Sequence, residues 1–105
     1  MRPPYRLQIV PAARRQLRQL PRPAQHRVRL VIRGLAVEPR PAGSKLLSGP
    51  ARIWRLRLGD YRILYDIQDD LVLVVVIRVG NRSRSVDDSA LRERIVAIVD
   101  ALVRA

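Results

Sequence analysis

The 105-residue sequence has no cysteine and no phenylalanine, and only one histidine, one tryptophan and three tyrosines. Without cysteine there is neither a disulfide framework nor a thiolate metal site. The single histidine, His26, cannot build a metal site alone, and its place on a helix between Gln25 and Arg27 reads as a surface or interhelix residue. The expectation is a protein without metal or cofactor. Long apolar runs are also missing: no stretch approaches the roughly 18 uncharged apolar residues of a membrane helix. The opening "MRPPYRLQIVPAARR" holds no cleavage-type segment. A cytoplasmic domain with no membrane contact is therefore expected. With no repeat and no low-complexity tract, residues 1–105 read as one domain.

Acidic residues are scarce. Lys and Arg total 21 against 9 Asp and Glu, for a net charge of +12. Lys45 is the one lysine among those cations. A codon bias towards arginine accounts for the Arg-to-Lys ratio but not for the positive excess. A small domain this basic usually meets a polyanion or a strongly acidic partner.

The pattern along the chain is of alternating elements. "YRLQIV", Tyr5 to Val10, alternates and is rich in strand formers, and Pro11 ends it. "AARRQLRQL", Ala12 to Leu20, reads as a helix. "PRP" stops it and starts a second helix from Ala24 to Val37, where Val28, Val31, Ile32 and Leu35 recur at the helical period. "EPRPAGSKLLSGPAR", Glu38 to Arg52, reads as a loop by its Pro, Gly and Ser content. Strands follow at Ile53–Leu58, Tyr61–Gln68 and Leu71–Val79. The loop "GNRSRSVDDS" leads to a final helix reaching about Val103, capped by Ser89 or Asp88. The expected class is α+β, in the order β-α-α-β-β-β-α: one twisted antiparallel sheet, an N-terminal helical hairpin packed on it and a C-terminal helix.

The hairpin "IWRLRLGDYRILYDI" carries the chemistry. Gly59-Asp60 suits a two-residue type II′ turn. That turn sets Leu58 opposite Tyr61, Arg57 opposite Arg62, Leu56 opposite Ile63, Arg55 opposite Leu64 and Trp54 opposite Tyr65. Side chains alternate across a strand, so Trp54, Leu56, Ile63 and Tyr65 share an apolar face, and Arg55, Arg57 and Arg62 share the other. Like charges directly opposite destabilise a sheet, and Asp66 is too far along the strand to neutralise both members of the Arg57–Arg62 pair. A single arginine here reads as a solvated surface residue with its stem over apolar neighbours. Three together point to a bound anion, and phosphate matches the guanidinium fork.

The strand "LVLVVVIRV" is apolar on both faces and belongs in the centre of the sheet. A two-residue turn at Asp69-Asp70 places Arg78 on the core side. A three-residue turn with a bulge places it with Arg62. The second is preferred, because a buried unpaired arginine is costly.

Together these residues, "KLLSG", "WRLRLGDYRILYDI" and "VVVIRVGNRSR", resemble the RelE/ParE superfamily of type II toxins. The likeness runs from Tyr5 to about Arg84 and is most specific from Trp54 to Tyr65. It implies a RelE-like toxin domain, a cognate acidic antitoxin and a toxin–antitoxin hetero-oligomer. In the RelE-like branch it implies cleavage of mRNA in the ribosomal A site, and in the ParE-like branch poisoning of DNA gyrase. The family's cations fall on Arg55, Arg57, Arg62 and Arg82. The tyrosine that assists proton transfer in RelE-like toxins is replaced by Asp87 or Asp88, and nothing after Tyr65 is aromatic.

In such a reaction the RNA 2′-hydroxyl attacks the adjacent phosphate. The protein must help remove that proton, stabilise the phosphorane and protonate the leaving 5′-oxygen. Arginines serve the middle task. Asp87 is the candidate general base, although Asp87 and Asp88 also suit the N-terminus of the final helix. Tyr61 points to the core face by parity and is discounted. Lys45 and Arg84 add RNA-binding charge. The expected function is a translation-inhibiting mRNA endoribonuclease. A gyrase poison and an inactive, antitoxin-binding member are the alternatives.

Overall fold

The computed structural model describes residues 3–47 and 52–81, together with Ala97 and Ala101, both helical. The elements are β1 (Arg6–Ile9), α1 (Pro11–Arg18), α2 (Arg22–Gly34), β2 (Lys45–Leu46), β3 (Ile53–Leu58), β4 (Tyr61–Gln68) and β5 (Leu73–Asn81). The expected C-terminal helix otherwise lies outside the described residues. No helix among the described residues is long and apolar enough to cross a membrane.

Proline sets both helix starts. Pro11 closes β1 and also occupies the first turn of α1, where its missing N–H has no partner to lose. Pro21 and Pro23 flank the first residue of α2. The two helices bury Ala13 and Leu17 from α1 and Val28 and Ile32 from α2. These side chains join Ile63, Tyr65, Val76 and Val79 of the sheet in one core.

The sheet order is β1-β5-β4-β3-β2. β5 is central, as its two apolar faces require. The sheet is mixed rather than wholly antiparallel: β1 runs parallel to β5, pairing Arg6 to Ile9 with Leu73 to Val76. The helical hairpin is the crossover that carries the chain from β1 back towards the sheet, and such a crossover permits parallel pairing. A further correction concerns the segment Glu38 to Arg52, which is not all loop. Lys45 and Leu46 form the short edge strand β2, opposite Arg55 and Trp54 of β3.

β1 is shorter than β5, which leaves part of β5's edge uncovered. Helix α1 fills in: the backbone N–H of Val79 donates to Oε1 of Gln16 at 2.9 Å. At the other end Asp69 ties three segments together. It accepts hydrogen bonds from Tyr5 Oη at 2.7 Å and from Arg40 Nη1 and Nη2 at 3.3 and 2.8 Å. The Arg40 guanidinium holds the Asp69 carboxyl below its ordinary range. Arg40 also lies 5.2 Å from the Trp54 ring centroid. Beneath it Tyr65 is fully buried and donates from Oη to the Pro39 carbonyl at 2.8 Å. The hydroxyl thus finds a partner that burial would otherwise deny it.

The face of the sheet away from the helices is buried at the level of Ile53, Asp66 and Val75, where the Asp66 carboxyl sits between two apolar partners. Asp66 is 5% exposed and accepts a hydrogen bond from Nε2 of Gln68. Burial pushes its carboxyl above the ordinary value. Desolvation disfavours the charged carboxylate in the folded chain, so stability is lost as pH rises through the folded-state value. Below the unfolded-state value both forms are protonated and the cost is gone. Asp66→Asn is therefore expected to raise Tm at pH 7, by several degrees if about 1 kcal/mol is recovered. The gain should shrink steadily on acidification. Thermal melts of both chains across that range check it.

Candidate phosphate-binding face

The turn Gly59-Asp60 builds the site. Gly59 has φ +59°, the conformation required at the first position of the expected turn. The resulting register pairs Leu58 with Tyr61, Arg57 with Arg62, Leu56 with Ile63, Arg55 with Leu64 and Trp54 with Tyr65, as expected. Leu56, Ile63 and Tyr65 are buried on the helix side and Trp54 is half-buried there. Arg55, Arg57 and Arg62 occupy the opposite side. Arg57 is exposed, while Arg55 and Arg62 are half-buried.

Two further cations join them. β2 places Lys45 directly opposite Arg55. Lys45 and Leu46 alone are too short a strand for hydrophobic periodicity to reveal. From the other side, β5 brings Arg78 opposite Leu64. Arg78 therefore shares a face with Arg62, as preferred from the sequence, but by a different device. The β4–β5 connection is a 3₁₀ turn, Asp69–Leu71, followed by Val72 in the left-handed region, not a three-residue turn. The register then shifts between Leu64, paired with Arg78, and Tyr65, paired with Val76. Ile77 is the extra residue of this β-bulge. A bulge leaves one residue unopposed and reverses the alternation beyond it; without it Arg78 would face the core.

The cations thus stand in two cross-strand rows. One reads Lys45, Arg55, Leu64, Arg78, and the next reads Arg57, Arg62, Gly80. Leu64, 7% exposed, is the apolar floor between Arg55 and Arg78. Adjacent strands lie about 4.8 Å apart, so like charges are held at short range, and an anion seated among them would offset their repulsion. The other expected site residues, Arg82, Arg84 and Asp87, lie outside the described residues, as does Asp88. Arg82 follows directly on Asn81, the last residue of β5, which is paired with Tyr61. Tyr61 is half-buried and lines a cleft with Gln16, Gln19 and Pro21 that extends to Arg78 and Gly80 at the end of β5. His26 is exposed on α2.

A second basic surface lies on the helix side. Leu7 and Ile9 of β1, Leu17 of α1 and Ile32 of α2 line a groove with Arg14, Arg18, Arg29 and Arg33. The helical period that turns Leu17 and Ile32 inward leaves these arginines exposed beside them.

Comparison with known proteins agrees with this architecture. Residues 7–86 match the model of the ParE toxin of type II toxin-antitoxin systems. Over 81 residues the chain is 36% identical to Toxin RelG of Mycobacterium tuberculosis, covering 76% of this chain and 93% of that one. Among solved structures, a chain of the RelBE2 toxin-antitoxin complex of the same organism superposes with a TM-score of 0.68 at 34% identity, over 77% of this chain and 94% of that one. The isolated E. coli RelE toxin gives a TM-score of 0.66 at 28% identity, over 87% of this chain and 98% of that one. The match spans both helices, the hairpin and the bulged strand, and on it this chain belongs to the ParE toxin family of type II toxin-antitoxin systems, within the RelE/ParE superfamily.

Proposed function

We propose that this toxin is an mRNA endoribonuclease that cuts transcripts in the ribosomal A site and so stops translation in the cytoplasm. The observation that carries the reading is the pair of cross-strand cation rows on the open end of the sheet. A pentavalent phosphorane carries more negative charge than the diester it comes from. Cations fixed beforehand by strand pairing stabilise it without reorganising at the moment of reaction.

The roles divide as follows. Arg55, Arg57, Arg62 and Arg82 surround the scissile phosphate and take up the charge that develops. Asp87 accepts the 2′-hydroxyl proton; the 2′-oxygen bonds to phosphorus, the bond to the 5′-oxygen breaks to leave a 2′,3′-cyclic phosphate, and the 5′-oxygen takes a proton from water as it leaves. Lys45 and Arg84 hold neighbouring phosphates. A carboxylate in place of the usual tyrosine is chemically competent as the base, because its oxygens accept a proton directly. The second reading, a gyrase poison, draws on the absence of any aromatic residue after Tyr65. The complete cation set favours the first.

The groove on the helix side suits the antitoxin. An acidic amphipathic helix would lay its apolar stripe on Leu7, Ile9, Leu17 and Ile32 and meet Arg14, Arg18, Arg29 and Arg33 with carboxylates. The resulting complex is a toxin–antitoxin hetero-oligomer, in keeping with a RelE toxin solved together with its RelB antitoxin.

Two outcomes are expected. Arg62→Ala and Arg82→Ala should each abolish growth arrest while thermal melts show that both variants remain folded. Full toxicity from both would remove the ribonuclease reading. Arg29→Glu with Arg33→Glu should prevent capture of the toxin by the acidic protein encoded beside it and leave toxicity intact. Undiminished co-purification would place the antitoxin elsewhere.

A further inference from the structure

Arg78 is a cation that the site described above leaves without a role. The bulge at Ile77 turns it onto the arginine face, where it is half-buried. Its guanidinium does not stand over its own row. A Cβ built on Gly80 would come within 3.4 Å of Arg78 Nε and 3.9 Å of Nη2. The head of Arg78 therefore lies along the strand, beside the place that a side chain at position 80 would fill. Gly80 is the strand partner of Arg62. The row that reads Arg57, Arg62, Gly80 by backbone thus reads Arg57, Arg62, Arg78 by charge. Arg78 makes no hydrogen bond or ion pair with the described residues.

We propose that Arg78, seated over Gly80, is a further phosphate-binding residue of the RNA site and grips a different phosphate from Arg57 and Arg62. The inference rests on the ribonuclease reading. Two strand spacings, about 9.6 Å, separate the strands that bear Arg57 and Arg78. Charge-assisted contacts close at about 2.7–2.9 Å. The strands at the two ends of the row thus stand farther apart than a single such contact spans. A ligand that engages the whole row carries successive phosphates, as a single-stranded RNA backbone does. Gly80 matters because a Cβ there would already touch the arginine head, and a branched side chain reaching beyond Cβ would compete with it for space.

The test is the salt dependence of binding of the full chain to a short fluorescein-labelled 2′-O-methyl oligoribonucleotide, which keeps the phosphates and removes the nucleophile. Binding is followed by anisotropy. Arg78→Ala should reduce the log–log slope by about 0.7, the single-strand value for one lost contact. Gly80→Val keeps every charge but fills the seat, and should reproduce that reduction. Arg78→Lys should restore most of the slope. Thermal melts establish that each variant is folded. A slope lowered by Arg57→Ala and Arg62→Ala but untouched by Arg78→Ala overturns this inference and leaves the ribonuclease reading standing. A slope untouched by all three overturns both.

Discussion

Arg57 and Arg62 sit directly opposite each other on neighbouring strands, and the turn and packing of those two strands hold that pair in place. The arrangement is unfavourable by itself; cross-strand pairs of like charge cost up to about 1 kcal/mol. It persists because the same two strands bury Leu56, Ile63 and Tyr65 on their other side. Burial of a large side chain stabilises by roughly 1.5–3 kcal/mol, so the apolar face outweighs the repulsion several times over. A one-residue slip would exchange the faces, placing the arginines in the core and the apolar residues in water. The Gly59-Asp60 turn prevents it.

The same logic extends to both sides of the hairpin. β2 adds Lys45 next to Arg55, and the bulge in β5 turns Arg78 outward to the same face. Parity alone would have sent Arg78 inward, where an unpaired guanidinium is costly. One inserted residue, Ile77, resolves the conflict while staying buried itself. The outcome is a sheet with two electrostatic levels. At the level of Asp66 its outer face is buried, with Ile53 and Val75 on either side of the carboxyl. Two pleats further on it is a field of arginines.

How much of this was legible depends on the length scale of each signal. The hairpin register was readable in full, because a glycine-led two-residue turn leaves no freedom and both strands alternate. The central place of β5 followed from its apolar run. The parallel pairing of β1 was not legible: its alternation is compatible with either direction, and only the crossover through the helices decides. β2 was hidden because two residues between Gly-rich and Pro-rich stretches carry no period. Arg78 was assigned to the correct face on the grounds of burial cost, but the bulge that puts it there has no local marker; Ile77 looks like any residue of an apolar strand. The seat over Gly80 was out of reach for the same reason, since it depends on a neighbour two residues away lying down along the strand.

The central claim is that this field of cations exists to stabilise a phosphorane in messenger RNA. Mapping transcript ends by primer extension after brief induction tests it most directly, with a DNA gyrase supercoiling assay run on the same protein. The account predicts new 5′ ends within translated codons, absent when ribosomes are kept off the message, and gyrase activity unchanged. Intact transcripts together with inhibited supercoiling would contradict it.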